Sequence, residues 1–264
     1  MRTVLKYPGA KNRIAKWICE YIPPHGVYLE PFFGSGAVFF NKEPAKIETI
    51  NDLDDDVVNY FEVIRDKSDE LIAALEMTPY AREEYNRAFV KSEKDSDVER
   101  ARKFVIKCWM GFGCSNLYKN GFRSSQQSTS PRTTKEWNEF PERLRAAAMR
   151  LKMAQIEKLP AVELIRRYNS ADVFIYADPP YLRDLRKSYL YRHEMTDDEH
   201  MELLQALKEH PGKVMISGYE SDLYNQELSG WTKIHKATQA EAGIKRVETI
   251  WMNYNQPGQL NFKI

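Results

Sequence analysis

The period of the apolar positions changes several times along the chain, and each change marks an element. Val27-Tyr28-Leu29-Glu30 reads as a short strand, closed by Pro31-Phe32-Phe33-Gly34-Ser35-Gly36. Ala37 to Asn41 then reads as the start of a helix. A strand, a glycine turn and a helix make the opening unit of a βαβ fold. Ile47-Glu48-Thr49-Ile50-Asn51-Asp52 is a second short strand, and Val57, Val58, Phe61, Ile64 and Arg65 follow at helical spacing.

From Thr78 to Lys152 the pattern is helical, over Tyr80 to Lys91, Asp97 to Met110 and Phe140 to Lys152. Between the last two lie Gly111-Phe112-Gly113 and Tyr118-Lys119-Asn120-Gly121-Phe122-Arg123. Asn-Gly between aromatic residues predicts a hairpin turn. Ser124 to Pro131 is polar with little to bury, which predicts a mobile loop.

Strand signals return after Lys152. Val173-Phe174-Ile175-Tyr176-Ala177 is a continuous apolar run of the kind buried on both faces of a parallel sheet. It ends in Asp178-Pro179-Pro180-Tyr181. Thr196 with Glu199 three residues on is a capping-box pattern and opens a helix to about Glu209. Lys213 to Ser217 is another strand, and Trp231 to Lys236 with Val247 to Asn253 reads as a closing antiparallel pair. Alternating strands and helices predict an α/β, doubly wound sheet with the middle segment inserted.

Charge changes this picture. The 264 residues carry a net charge of only +1, which read alone argues against a polyanion partner. The sum hides a split: Arg100 to Lys152 holds twelve Lys and Arg against three acids, so it stands at +9 and the remainder at −8. Such asymmetry suits a polyanion partner, and it equally suits a solvated helical face. No run of 18 apolar residues exists, so no membrane span is expected. Met1 to Lys6 lacks the apolar core of a secretory signal. Cys19, Cys108 and Cys114 match neither a disulfide framework nor a zinc pattern, and fit a cytoplasmic protein. No internal repeat is visible.

Two segments carry chemistry. Glycines at the end of a parallel strand let the chain turn tightly and let a ligand approach, although Gly34 and Gly36 also suit a purely structural turn. Asp52 stands where a ribose diol would be gripped, or where a helix would be capped. Asp178-Pro179-Pro180-Tyr181 is sharper. Consecutive prolines fix φ and remove two backbone donors, and Asp178 is pushed out of the helical region. The segment offers a carboxylate and carbonyls, all acceptors, beside an aromatic plane. A flat ring bearing an N–H₂ group fits it.

With these residues in view, the chain resembles the Dam-like, D12-class adenine-specific DNA methyltransferases. Lys6-Tyr7-Pro8-Gly9-Ala10-Lys11, Glu30 to Gly36, Asn51-Asp52 and Asp178 to Tyr181 match the family's motifs in its order. Trp137 to Leu144 and Glu248 to Asn253 are weaker matches. The resemblance implies a mostly parallel seven-stranded methyltransferase sheet with an antiparallel strand near the C-terminus. It implies a catalytic domain of residues 1–56 and 153–264, around an inserted, mainly helical target-recognition domain at 57–152.

It also implies S-adenosyl-L-methionine as methyl donor and double-stranded DNA as partner, for a monomeric enzyme needing no metal. Gly9 and Lys11 would lie along the donor's methionine end. Phe33, Gly34 and Gly36 would line its methionine and ribose portions, and Asp52 would hold the ribose hydroxyls. Tyr7, Glu30, Phe32, Ser35, Lys158 and Asp178 complete the cofactor set. Asp178, Pro179, Pro180 and Tyr181 form the catalytic set. Asp178 and the Pro179 carbonyl would accept both N–H bonds of adenine N6, aim its lone pair at the methyl group, and leave Tyr181 to stack on the flipped base.

Within the insertion, Tyr118, Lys119, Asn120, Arg123, Arg132 and Lys135 are the candidate DNA contacts. Arg143, Arg145 and Arg150 lie on a predicted helix and suit a solvated or ion-paired face. Here the chain departs from the family. Arg123-Ser124-Ser125-Gln126-Gln127 stands where the family has an Asn-x-Pro-Phe-Gly-like stretch, so a target sequence does not transfer. Ser188 to His193 is a candidate lid over the base, and His193 and His200 are too sparse for a metal site. Methylation of cytosine, an inert DNA-binding module and an RNA methyltransferase are the alternatives; Asp178, where cytosine enzymes more often carry Ser, favours adenine.

Overall fold

The computed structural model describes residues 2–114, 116–130, 132–185, 190–239 and 245–255. Seven strands form one sheet: β1 (Val27–Glu30), β2 (Ile47–Asn51), β3 (Ala154–Glu157), β4 (Val173–Ala177), β5 (Lys213–Gly218), β6 (Thr232–Gln239) and β7 (Lys245–Met252). Their order is β3-β2-β1-β4-β5-β7-β6. The first five run parallel, and β7 runs antiparallel to β5 and β6. Winding reverses between β1 and β4. A reversal of this kind opens a crevice at the C-terminal strand ends. The chain leaves β1 into the glycine turn and β4 into Asp178, so both motifs arrive there.

The helices are α1 (Ala15–Cys19), α2 (Asp55–Asp66), α3 (Ser68–Glu76), α4 (Arg82–Arg87), α5 (Asp97–Met110), α6 (Thr133–Asn138), α7 (Phe140–Leu151), α8 (Ala161–Arg167), α9 (Asp197–Glu209) and α10 (Asp222–Glu227). Alternation along the strands sorts the core into two layers. Tyr28, Phe174, Tyr176 and Met215 join Phe61, Leu71, Phe104, Phe140 and Leu144 of α2, α3, α5 and α7. Leu29, Ile175, Val214 and Ile216 point the other way, against Leu164 of α8 and Leu203, Leu204 and Leu207 of α9. All five residues of β4 are buried, as a central strand with both faces covered requires. Val173, Phe174 and Ile175 among them each contribute about 1.5–3 kcal/mol of burial.

Polar caps set the starts of α2, α5, α9 and α10. Asp54 accepts from the Asp56 amide at 2.9 Å, Ser96 from that of Glu99 at 3.2 Å, and Thr196 with Glu199 closes the expected capping box. Residues 37–41 are the exception to the periodicity. They form successive turns, not a regular helix, although the Phe40 amide reaches the Gly36 carbonyl at 2.9 Å. The run is too short to repay helix nucleation, and Pro44 follows closely. Phe39 instead packs edge-on with Phe33 and Phe40, and Phe40 packs tilted against Phe33. Helix over Tyr80 to Lys91 is likewise confined to Arg82–Arg87. No pairing across the expected Asn120-Gly121 turn is seen among the described residues; Phe122 instead forms a single antiparallel bridge with Gly111, at the end of α5.

Candidate active site

A cavity of about 340 Å³ opens at the β1/β4 crevice. Its walls come from the N-terminal segment at Tyr7 to Lys11, the glycine turn, Asp52 after β2 and Asp178 after β4. Residues 191–195 close it from the far side. The volume falls in the ordinary range for a small-molecule site.

At one end the Lys11 ammonium grips Asp178, 2.7 Å from Oδ1 and 2.8 Å from Oδ2. Ser217, at the end of β5, donates to Asp178 Oδ1 at 2.8 Å and lies 3.0 Å from the Tyr176 hydroxyl. Lys11 Nζ also lies 3.6 Å from Glu248 Oε1 and 4.7 Å from the centre of the Tyr181 ring. Tyr181 donates its hydroxyl to Glu248. Burial would lower the Lys11 pKa, but the charges of Asp178 and Glu248 outweigh it and hold the ammonium above its ordinary value. Burial raises the pKa of Glu248, with Lys11 opposing and Asp178 adding.

The other end is acidic and aromatic. Asp52 accepts from the Gly34 amide at 2.8 Å and from the Asp54 amide at 2.9 Å. Its burial nonetheless raises its pKa to about 6. Between the two ends, Glu30 accepts from the Tyr28 hydroxyl at 2.7 Å. Burial pushes the Glu30 carboxyl up to about 8; the Tyr28 hydrogen bond works against this and the Asp178 charge with it. Tyr7 and Tyr191 approach ring to ring at 6.2 Å across the mouth. Gly9 has φ +70°, and a Cβ there would fall 2.1 Å from the Tyr191 hydroxyl. Arg192 reaches over to Asp56 at 2.6 Å and Asp54 at 3.6 Å, tying the closing segment to the start of α2.

Of the expected residues, Tyr7, Gly9, Lys11, Glu30, Phe32, Phe33, Gly34, Ser35, Asp52, Asp178 and Pro180 line the cavity. Gly36 lies behind it, where a Cβ would meet the Phe33 ring at 2.4 Å. Pro179 is buried, and Tyr181 sits beside Lys11 outside the lining. Lys158 is exposed and pairs with Asp55, away from the lining. Of the expected lid, Ser188 and Tyr189 lie outside the described residues, while Tyr191, Arg192 and His193 line the cavity.

Tyr118, Lys119 and Asn120 are exposed around the hairpin. Arg123 is half-buried with its backbone pinned, its amide on Met110 O at 2.7 Å and its carbonyl accepting from Tyr80 at 2.6 Å. Arg132 and Lys135 are exposed near the start of α6. Arg145 pairs with Asp69 at 2.8 Å, and Arg150 with buried Glu48 while covering the Phe39 ring at 3.8 Å. Arg143 covers the Trp109 ring at 5.5 Å. Among the described residues no cluster of His, Cys, Asp or Glu could hold a metal, and no helix is long and apolar enough to cross a membrane.

Tyr176 and Ser217 received no role from the sequence, Glu248 only a place in a weak motif match and Tyr191 only a place in the candidate lid. Ser217 closes a strand that neighbours β4, so sheet order alone would have directed attention to it. The weak match at Glu248 to Asn253 assigned no role to Glu248 itself, which enters from the antiparallel strand β7.

Comparison with known proteins agrees with this arrangement. Residues 7–242 match the model of the D12 class N6 adenine-specific DNA methyltransferase family. The chain is 29% identical to the type II methyltransferase M1.LlaDCHI of Lactococcus lactis subsp. cremoris, over 89% of this chain and 87% of that protein. It is 25% identical to the type II methyltransferase M.MjaIII of Methanocaldococcus jannaschii, covering 88% and 89%. It is 23% identical to the DNA adenine methylase of Escherichia coli K12, covering 97% and 96%. The match extends from the N-terminal cavity wall through β6, and the chain belongs to the D12 class of N6 adenine-specific DNA methyltransferases.

Proposed function

We propose that the protein moves a methyl group from S-adenosyl-L-methionine to N6 of an adenine turned out of duplex DNA. The observation that carries this reading is the position of Asp178: at the rim of a nucleoside-sized cavity, on a segment with no competing amide donors at Pro179 and Pro180.

The cavity suits the donor. Its carboxyl groups, on Asp52, Glu30 and Asp178, offer acceptor oxygens to a ligand that carries an ammonium and a ribose diol. Its aromatic walls, Tyr7, Phe32 and Phe33, suit both a cation and a purine. Gly9 keeps open the space that a Cβ would fill beside Tyr191. When bound, S-adenosyl-L-methionine supplies an electrophilic methyl group. Asp52 would hold the ribose hydroxyls. Gly9 and Gly34 would let backbone approach closely, and Lys11 holds both Asp178 oxygens.

The chain's own residues then act on the base. The adenine amino group is a poor nucleophile because its lone pair is delocalised into the ring. Asp178 and the Pro179 carbonyl accept its two N–H bonds and draw nitrogen toward tetrahedral geometry. Holding that geometry supplies much of the rate. Asp178 also stabilises the positive charge that develops on N6 until its proton leaves. Tyr181 presents a ring for stacking, its hydroxyl anchored on Glu248.

Residues 57–152 are the target-recognition segment in this reading. Much of their positive charge is spent internally: Arg102 on Glu84 and Glu99, Lys103 on Asp95, Arg145 on Asp69 and Arg150 on Glu48. Lys119, Arg123 and Arg132 have no ion-pair partner among the described residues, and they flank exposed Tyr118 and Asn120. That group is the DNA-facing end.

Nucleoside analysis of duplex DNA treated with protein and donor tests the reading. N6-methyladenine is expected, and methylcytosine alone or no methylated base would overturn it. Replacing the target adenine with 2-aminopurine should raise its fluorescence on binding. An unchanged signal would remove base flipping.

A further inference from the structure

The grip of Lys11 on Asp178 poses a problem for the reaction proposed above. A carboxylate has about four lone-pair sites. Lys11 covers both Asp178 oxygens, and Ser217 takes a further position on Oδ1. That leaves about one position, on Oδ2, and an amino group bonding there competes with the ammonium for the same oxygen. The Lys11 side chain is only 6% exposed, so an ammonium released there cannot turn to bulk water. A buried charge without its counterion is strongly disfavoured.

Two acceptors stand next to it. One is the Gly9 carbonyl at 3.1 Å, which is neutral. The other is Glu248 Oε1 at 3.6 Å, itself 6% exposed. Closing that gap to hydrogen-bond length takes a movement of under about 1 Å. Glu248 is the other carboxylate within ion-pair distance of Lys11 among the described residues. It stands on β7, outside the cavity lining, so its contacts are with Lys11 and Tyr181 and not with the donor site.

We propose that Glu248 is a positioning residue that acts through Lys11, receiving its ammonium when the base amino group takes Asp178, while holding the Tyr181 ring through its hydroxyl. Two carboxylates share one ammonium, so one of them is always short of a partner. In the free protein Asp178 has the closer contact. With a base bound, one N6 N–H joins Ser217 on Asp178 and the ammonium passes to Glu248. No proton moves and no bond is made in this exchange. It frees an acceptor without stranding a buried charge. Burial raises the Glu248 pKa and the Lys11 charge pulls it back, as a carboxylate matched to that ammonium requires.

The inference rests on the proposed role of Asp178, and Glu248→Gln tests it. The amide keeps the shape and an oxygen for Tyr181 but gives Lys11 no charge. Single-turnover methylation should fall by about 10- to 100-fold. Calorimetric affinity for S-adenosyl-L-methionine and the melting temperature of the free protein should stay close to wild type. Glu248→Asp, which keeps the charge, should recover part of the loss.

NMR of protein carrying ¹³C-labelled lysine reads the exchange without turnover. Lysine 11 is assigned by its absence in Lys11→Met. Its Cε signal should move when S-adenosyl-L-homocysteine and a duplex with the methylated sequence are added to wild type, and stay in Glu248→Gln. A variant with turnover within about twofold of wild type would overturn the inference, as would equal signal movement in both proteins or none in wild type. Loss of donor affinity and melting temperature alongside turnover would make Glu248 merely structural. Wild-type protein that forms no N6-methyladenine would instead sink the underlying reading.

Discussion

Lys11 and Asp178 lie 167 positions apart in the chain, yet the ammonium of one touches both carboxylate oxygens of the other. The pair closes the cavity at one end, and it joins the N-terminal wall to the end of β4. Removing either partner therefore tests chemistry and architecture together.

Asp178→Ala should lower methyl transfer by at least about 10³-fold, since it deletes the acceptor that orients N6. Duplex affinity should stay within about threefold, because the residues proposed to face DNA lie between α5 and α6, away from Asp178 in the chain. Filter binding beside a radiolabelled transfer assay separates the two. Retained turnover would remove Asp178 from its assigned role.

Glu30 gives a pH signature in the free protein. Its carboxyl rises from an ordinary 4.5 to about 8, chiefly by burial. A group that holds its proton more tightly when folded stabilises the fold fully below pH 4.5. That contribution is lost as pH climbs through 8, at up to about 1.4 kcal/mol per unit. Glu30→Gln removes the loss. Urea unfolding should show the variant gaining on wild type by at least about 2 kcal/mol between pH 5 and pH 8. Parallel pH curves for the two proteins would contradict the assignment.

Gly9→Ala should weaken donor binding at least about tenfold and cost about 1–2 kcal/mol of backbone strain. Gly230→Ala is the control. Gly230 has φ +89° but nothing within 4 Å of a new Cβ, so it shares the strain without the crowding. Calorimetry should find near-normal donor affinity in the control alone. Equal affinities in both variants would remove Gly9 from the cavity wall.

Lys119→Ala and Arg123→Ala should each lower the slope of log K against log salt by about 0.9 if each contacts one phosphate. Titrations from low to moderate salt measure it directly. An unchanged slope in both would move the DNA face elsewhere.

Much of this architecture was legible because strand periodicity and motif order are local signals. β1, β4 and α5 fall where the apolar pattern puts them, and the glycine turn and Asp178 follow the strands expected to carry them. β3 escaped notice because four residues at a sheet edge, partly exposed, leave little pattern to read. Residues 37–41 misled because helical spacing there reflects two phenylalanines entering an aromatic cluster. Glu248 and Ser217 were beyond reach for another reason. Their meeting with Asp178 and Lys11 depends on sheet order and on the antiparallel return of β7, and no local spacing encodes either.

The apolar layer that covers one face of the sheet is continuous with the helices between β2 and β3. Its consequence is evolutionary. Exchanging the whole span 57–152 between relatives would tear Phe61, Phe104 and Phe140 from the partners they were shaped against. Exchanging only the exposed stretch between α5 and α6 would disturb far less of that layer. New residues can therefore be sampled there, one loop at a time, while the apolar layer beneath stays intact.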